Sequence, residues 1–182
     1  HADTGPAARA LVGPVYGLGP GRRGEDVEGA GLDGGALFEK GRGIAAGENA
    51  AGGNGINRRI FEDIRNIGVD AVTMGNHVWD KKEILEYIQI DNRILRPANY
   101  PEGAPGNGYM FYHLKLPQDV TIAILNLSGC VFMQNLDNPF HIADKIIPML
   151  RGTTKTIIID FHAEATSEKI ALARYLDGQI SA

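Results

Sequence analysis

Three stretches place oxygen and nitrogen donors directly after apolar or small-residue segments: Gly47-Glu-Asn-Ala-Ala-Gly-Gly53, Gly75-Asn-His-Val-Trp-Asp80 and Asp160-Phe-His-Ala-Glu-Ala-Thr-Ser167. Glu48, Asn49, Asn76 and His162 make a donor set with no thiolate, which suits Mn²⁺, Fe or Mg²⁺ better than a structural zinc. A carboxylate such as Glu48 can bridge two cations. Two metals about 3.5–4 Å apart can hold a hydroxide and clamp a phosphoryl group during in-line displacement. His77, next to a ligand, is placed to give a proton to the leaving oxygen. Asp160 and Glu164 would then orient His162. Plainer roles stay open for the same residues: Asp80 as a helix N-cap with His77 on the surface, and His162 as a core-edge ring satisfied by a backbone carbonyl. His113 and His141 lie away from these loops and read as structural or surface residues.

The elements that must position these groups follow from pattern. Val69 to Met74 is a short apolar run stopped by Gly75, the signature of a buried strand entering a turn. Ala45 to Gly53 is small and glycine-rich, so backbone can pack closely around Glu48 and Asn49. Asn57 caps a helix with Ile60, Ile64 and Ile67 on one face, and a second helix is expected from Lys81 to Gln89. Leu95 to Gly108, with three prolines, reads as a long ordered loop. Tyr109–Leu116 and Val120–Leu127 read as a strand pair around a turn at 117–119, followed by a loop from Asn126 to Pro139. A third helix runs from Phe140 to Leu150 with Pro148 kinking or ending it. Thr156 to Asp160 is a β-branched strand, Ser167 to Leu176 a fourth helix with Gly178 past its end, and Gln179 to Ala182 resembles the start of a further strand. Alternation of strands and helices with one antiparallel insertion argues for an α/β layered fold.

The chain of 182 residues fits a single domain spanning 1–182, within which 1–43 is atypical, holding half of the 24 glycines. Leu11 to Tyr16 is its one strand-like stretch. Gly17-Leu-Gly-Pro-Gly21 matches neither the dinucleotide fingerprint nor the Lys-containing phosphate loop, so a nucleotide-binding loop there is the weaker alternative, and Arg22 and Arg23 read as solvated charges. A net charge of −4 argues against a stable nucleic-acid complex or an anionic membrane surface. One cysteine, Cys130, excludes an internal disulfide and suits a reducing compartment. With no apolar run near the roughly 18 residues that span a bilayer, the cytoplasm is the expected location.

The motifs Gly47–Gly53, Thr73-Met-Gly-Asn-His-Val-Trp-Asp80, Arg96-Pro-Ala-Asn-Tyr-Pro101, Asp137-Asn-Pro-Phe140 and Asp160-Phe-His-Ala-Glu-Ala-Thr-Ser-Glu-Lys169 together closely resemble the bacterial YmdB-like metallophosphoesterases of the calcineurin-like superfamily, over about Ala45 to Ala182. The resemblance implies a four-layer αββα sandwich, two divalent metal ions (Fe, Mn or Mg) and cyclic-nucleotide phosphodiesterase activity. It makes Glu48 the bridging ligand, puts Asn49 on the first metal and Asn76 and His162 on the second, and makes His77 the general acid. It also implies two departures. Pro14 stands where the family has an Asp ligand, and the family's further His ligands follow the point where this sequence stops, so the fold is expected to be incomplete at its C-terminus and the opening segment to be poorly recorded.

The expected function is therefore metal-dependent hydrolysis of a 2′,3′- or 3′,5′-cyclic nucleotide, by metal-hydroxide attack on phosphorus with a histidine general acid. Its partner is a small phosphodiester, with no membrane, and a homo-oligomer is compatible with the sequence. The alternative is a non-catalytic nucleotide- or protein-binding member of the same fold that lacks a full metal site.

Overall fold

The computed structural model describes residues 43–115 and 119–182, with the backbone of 16–17. Residues 18–21 of the glycine-rich segment, Arg22, Arg23, Pro14 and most of the strand-like Leu11–Tyr16 fall outside them, as do 117–118 of the turn. Two sheets carry the structure. The first has the order β1–β2–β3–β4, built from Tyr16–Gly17, Ile44–Ala46, Ala71–Thr73 and Ile94–Leu95, all parallel. In the second, β5 (Tyr109–Leu114) is antiparallel to β6 (Val120–Ser128), and β6 is parallel to β7 (Thr156–His162). The expected hairpin is present.

Helix α1 (Arg58–Asn66) starts where Asn57 accepts a hydrogen bond from the Ile60 amide at 2.8 Å. It buries Phe61 and Ile64, and Phe61 stacks on Tyr87 at 5.6 Å. Ile67, expected on the buried face, is 52% exposed instead. It caps the helix, and the chain reverses at Gly68 (φ 97°) before Ile67 can turn inward. The expected helix over 81–89 shrinks to α2 (Ile84–Tyr87). Its approach is made of i→i−3 bonds from Ile84, Leu85 and Glu86, while the Glu83 carboxylate accepts the Arg58 amide of α1. Leu95, expected in a loop, is the end of strand β4. Helix α3 (Pro139–Arg151) runs on past Pro148 to Arg151, and α4 spans Thr166–Tyr175. Residues 181–182 bond along β7, through Ser181 N to Ile157 O and Ile159 N to Ala182 O, both 2.8 Å.

Side chains alternate across each strand, and this sorts the core into three parts. Val72 and Ile94 pack with Phe61, Ile64, Ile84 and Tyr87 on the outer side of the first sheet. On β6, Ala123, Leu125 and Leu127 pack with Ala143, Ile147 and Leu172 of α3 and α4. Between the sheets lie Ala71, Leu95, Met110 and Ile124. Among the described residues no helix is long and apolar enough to cross a membrane.

The same alternation turns Asn126 toward the first sheet, fully buried. Its Nδ2 donates to the carbonyls of Met74 (2.6 Å) and Leu95 (2.9 Å), joining the ends of β3 and β4 to the second sheet. Asn126→Leu would strand the Met74 carbonyl, while Leu95 O keeps the Met74 amide at 2.9 Å. A loss of about 1–3 kcal/mol is expected from one buried acceptor left unpaired, read as a lower urea midpoint at unchanged m-value.

Candidate metal and phosphoryl site

The functional side chains gather where the C-terminal ends of the two sheets meet. On β7, Ile157, Ile159 and Phe161 pack toward the helices, so Asp160 and His162 turn toward the first sheet. Opposite them, β2 leads through Gly47 to Glu48, and β3 leads through Met74 and Gly75 to Asn76. The Gly47 amide donates to Thr73 O at 2.9 Å, which holds the two loops side by side.

Three of the expected residues meet there. Glu48 Oε2 lies 2.7 Å from His162 Nδ1, and His162 Nε2 lies 2.9 Å from Asn76 Oδ1. Glu48 is buried, at 5% exposure, so breaking this contact would leave a carboxylate without its partner. Both ring nitrogens thus face oxygen acceptors. A carboxylate, an imidazole and an amide oxygen so converged make a donor set that suits a divalent cation. Among the described residues no three His, Cys, Asp or Glu side chains form a ligand cluster, because the third donor here is the Asn76 amide.

Gly75 is what allows the three to meet. A Cβ there would overlap the Glu48 carboxylate and come 2.5 Å from His162 Cδ2. The resulting crevice of about 270 Å³ is lined by Glu48, Gly75, Asp160, His162, Glu164 and Lys169, among others. Asp160 and Glu164 were expected to orient His162. The ring instead takes its two contacts from Glu48 and Asn76, and the two acids line the wall beside it.

The other two expected residues are placed differently. Asn49 is exposed on the turn after Glu48, its carbonyl accepting the Gly53 amide at 3.2 Å, and its side chain is not drawn into the trio. His77 Nδ1 pairs with Asp80 Oδ2 at 2.8 Å, both half-exposed. His113 bonds Thr121 Oγ1 within the β5–β6 pair, and His141 is exposed on α3.

Sequence reasoning missed the support behind Asn76. The Gln134 Nε2 donates to Asn76 O at 3.2 Å, and the Tyr100 hydroxyl donates to Gln134 Oε1 at 2.8 Å. Burial above all, then the negative charge of Glu48, pushes the Tyr100 phenol above its ordinary range and keeps it a donor. No spacing marks Gln134, which lies 58 residues from Asn76.

A family model described as YmdB-like protein matches residues 40–182. A 2′,3′-cyclic-nucleotide 2′-phosphodiesterase of Bacillus subtilis (strain 168) is 48% identical over 139 residues, covering 76% of this chain and 52% of that protein. Two crystal structures are similar in fold. One, of a hypothetical protein from Thermus thermophilus, has a TM-score of 0.68 and 42% identity, covering 76% of this chain and 52% of the other. The second, of a novel phosphatase from Mycoplasma pneumoniae, has a TM-score of 0.67 and 31% identity, covering 75% and 49%. This chain spans about half the length of each of the three.

Gly75→Ala is expected to push Glu48 and His162 out of contact, with a loss of about 1–3 kcal/mol in stability from overpacking. A crystal structure of the variant in which the 2.7 Å contact persists would contradict the role given to this glycine.

Proposed function

Because the chain belongs to the YmdB-like protein family, we propose that it is a metal-dependent phosphodiesterase acting on cyclic nucleotides at the crevice between the two sheets. The observation that carries this is the convergence of the Glu48 carboxylate, the His162 imidazole and the Asn76 amide oxygen at the ends of three strands. The name of the B. subtilis relative favours the 2′,3′-cyclic form as substrate. Helices outside each sheet and a core between the sheets support the four-layer αββα arrangement, in one domain.

Glu48, Asn49, Asn76 and His162 are the residues that would hold the divalent ions, with Glu48 common to both and Asn49 taking part once its exposed side chain turned inward. When bound, such ions supply Lewis-acid charge to the phosphoryl oxygens. Gly75 keeps the floor of the crevice clear for the ligands, and Lys169 adds a positive charge to a wall that otherwise carries Asp160 and Glu164. Asp80 holds Nδ1 of His77, so His77 exchanges its proton through Nε2, toward the departing ribose oxygen.

Two experiments on the full-length gene product test this. Hydrolysis of 2′,3′-cyclic AMP is expected to vanish on chelation and return with Mn²⁺, Fe²⁺ or Mg²⁺, and His162→Ala should lower kcat/KM by about 100-fold or more, in line with losing a ligand. Turnover indifferent to chelator would overturn the metal role, and tight nucleotide binding without turnover would favour a binding protein. In the second, His77→Gln should cut kcat on the cyclic nucleotide by about 10²–10⁴. With bis(p-nitrophenyl) phosphate, whose leaving group needs no proton, the loss should nearly disappear. Equal losses on both substrates would remove His77 from the general-acid role.

A further inference from the structure

The loop that leaves β6 arches between two members of the trio. At its start, the Gly129 amide donates to His162 O at 2.8 Å, and near its end Gln134 Nε2 holds Asn76 O at 3.2 Å. Between these anchors the Glu168 carboxylate, itself buried, accepts the amides of Cys130 (2.9 Å) and Val131 (3.3 Å). Gly129 lets that carboxylate in, since a Cβ there would overlap it and sit 2.7 Å from Ala163 Cβ.

Phe132 is at the top of this arch. Met133 N donates to Cys130 O at 3.3 Å, closing a four-residue turn whose third residue is Phe132, at φ 64°. That position favours glycine or asparagine, and among the described residues Phe132 is the one non-glycine with a positive φ. Its side chain is 90% exposed, so no burial offsets the strain. The loop's anchors hold this conformation, and what it achieves is a phenyl face bare to solvent on the loop that ties His162 O to Asn76 O. Only Met133 separates Phe132 from Gln134, so the Phe132 backbone stays within roughly 7 Å of the residue whose side chain holds Asn76 O.

We propose that Phe132 is a stacking platform for the base of a nucleotide whose phosphate sits at Glu48, His162 and Asn76, an inference that rests on the phosphodiesterase reading. A phenyl face recognises any base through its π-surface, so the platform selects nucleotides over base-free phosphoesters without choosing among bases. Backbone strain held at the edge of a site, with the surrounding structure enforcing it, is what such a role needs.

The test compares adenosine 5′-monophosphate with ribose 5-phosphate, which differ only by the base. Binding of each to the Mn²⁺-loaded full-length protein is measured by calorimetry for wild type, Phe132→Asn and Phe132→Trp, with hydrolysis of 2′,3′-cyclic AMP followed in parallel. Asparagine tolerates the left-handed backbone, so the urea midpoint of Phe132→Asn should be equal to or above wild type. Its affinity for the nucleotide should fall about 5- to 150-fold, the range for one lost base stack, with ribose 5-phosphate binding unchanged. Phe132→Trp should restore the preference. Equal losses for both ligands, or no loss for either, would overturn the platform. Turnover without any preference for the nucleotide overturns the platform alone; preference without turnover overturns the enzyme reading alone.

Discussion

Everything at the functional end of this chain depends on a missing side chain. Glu48 leaves the first sheet and His162 leaves the second, and their 2.7 Å contact passes through the space a Cβ on Gly75 would fill. Two sheets packed face to face ordinarily stand about 10 Å apart, too far for short polar groups to meet. Here the gap is closed at the strand ends, where the chain is free to turn inward. Asn126 joins the sheets just behind this point, donating to the carbonyl of Met74, just past β3, and to that of Leu95 at the end of β4. The buried carboxylate, the ring and the amide are thus held by two independent sheets, and neither sheet alone contains the site.

Much of the local structure was legible because it follows from period and punctuation. Val69–Met74 ended by Gly75 announced a strand delivering Asn76, and the antiparallel pair Tyr109–Leu114 and Val120–Ser128 followed from alternation. Boundaries set by tertiary partners were not legible. Ile67 fits a helical face on paper, but the helix ends before it can be buried. Leu95 sits among prolines and asparagines, yet backbone pairing with β3 makes it a strand. In the 81–89 segment the first turn takes i→i−3 bonds, which leaves only Ile84–Tyr87 as α-helix.

For the site, residue types and strand ends pointed to Glu48, Asn76 and His162, which the fold brings together. They could not say which partners orient His162. Asp160 and Glu164 are its sequence neighbours, while the groups that touch the ring are 114 and 86 residues away in Glu48 and Asn76. Gln134 and Tyr100, which fix the Asn76 backbone, carry no motif of their own. The loop bearing Phe132 shows the same division: the sequence marks only a loop, whereas the fold holds the ring out in solvent against its own backbone preference.

The most direct measurement is the anomalous difference map of a crystal of the full-length protein soaked in Mn²⁺. The account predicts a peak in the crevice at about 2.0–2.3 Å from His162 and from oxygens of Glu48 and Asn76, the range for such donors. A peak lying only against Asp160 and Glu164, or no peak while Glu48 and His162 stay in contact, would contradict it.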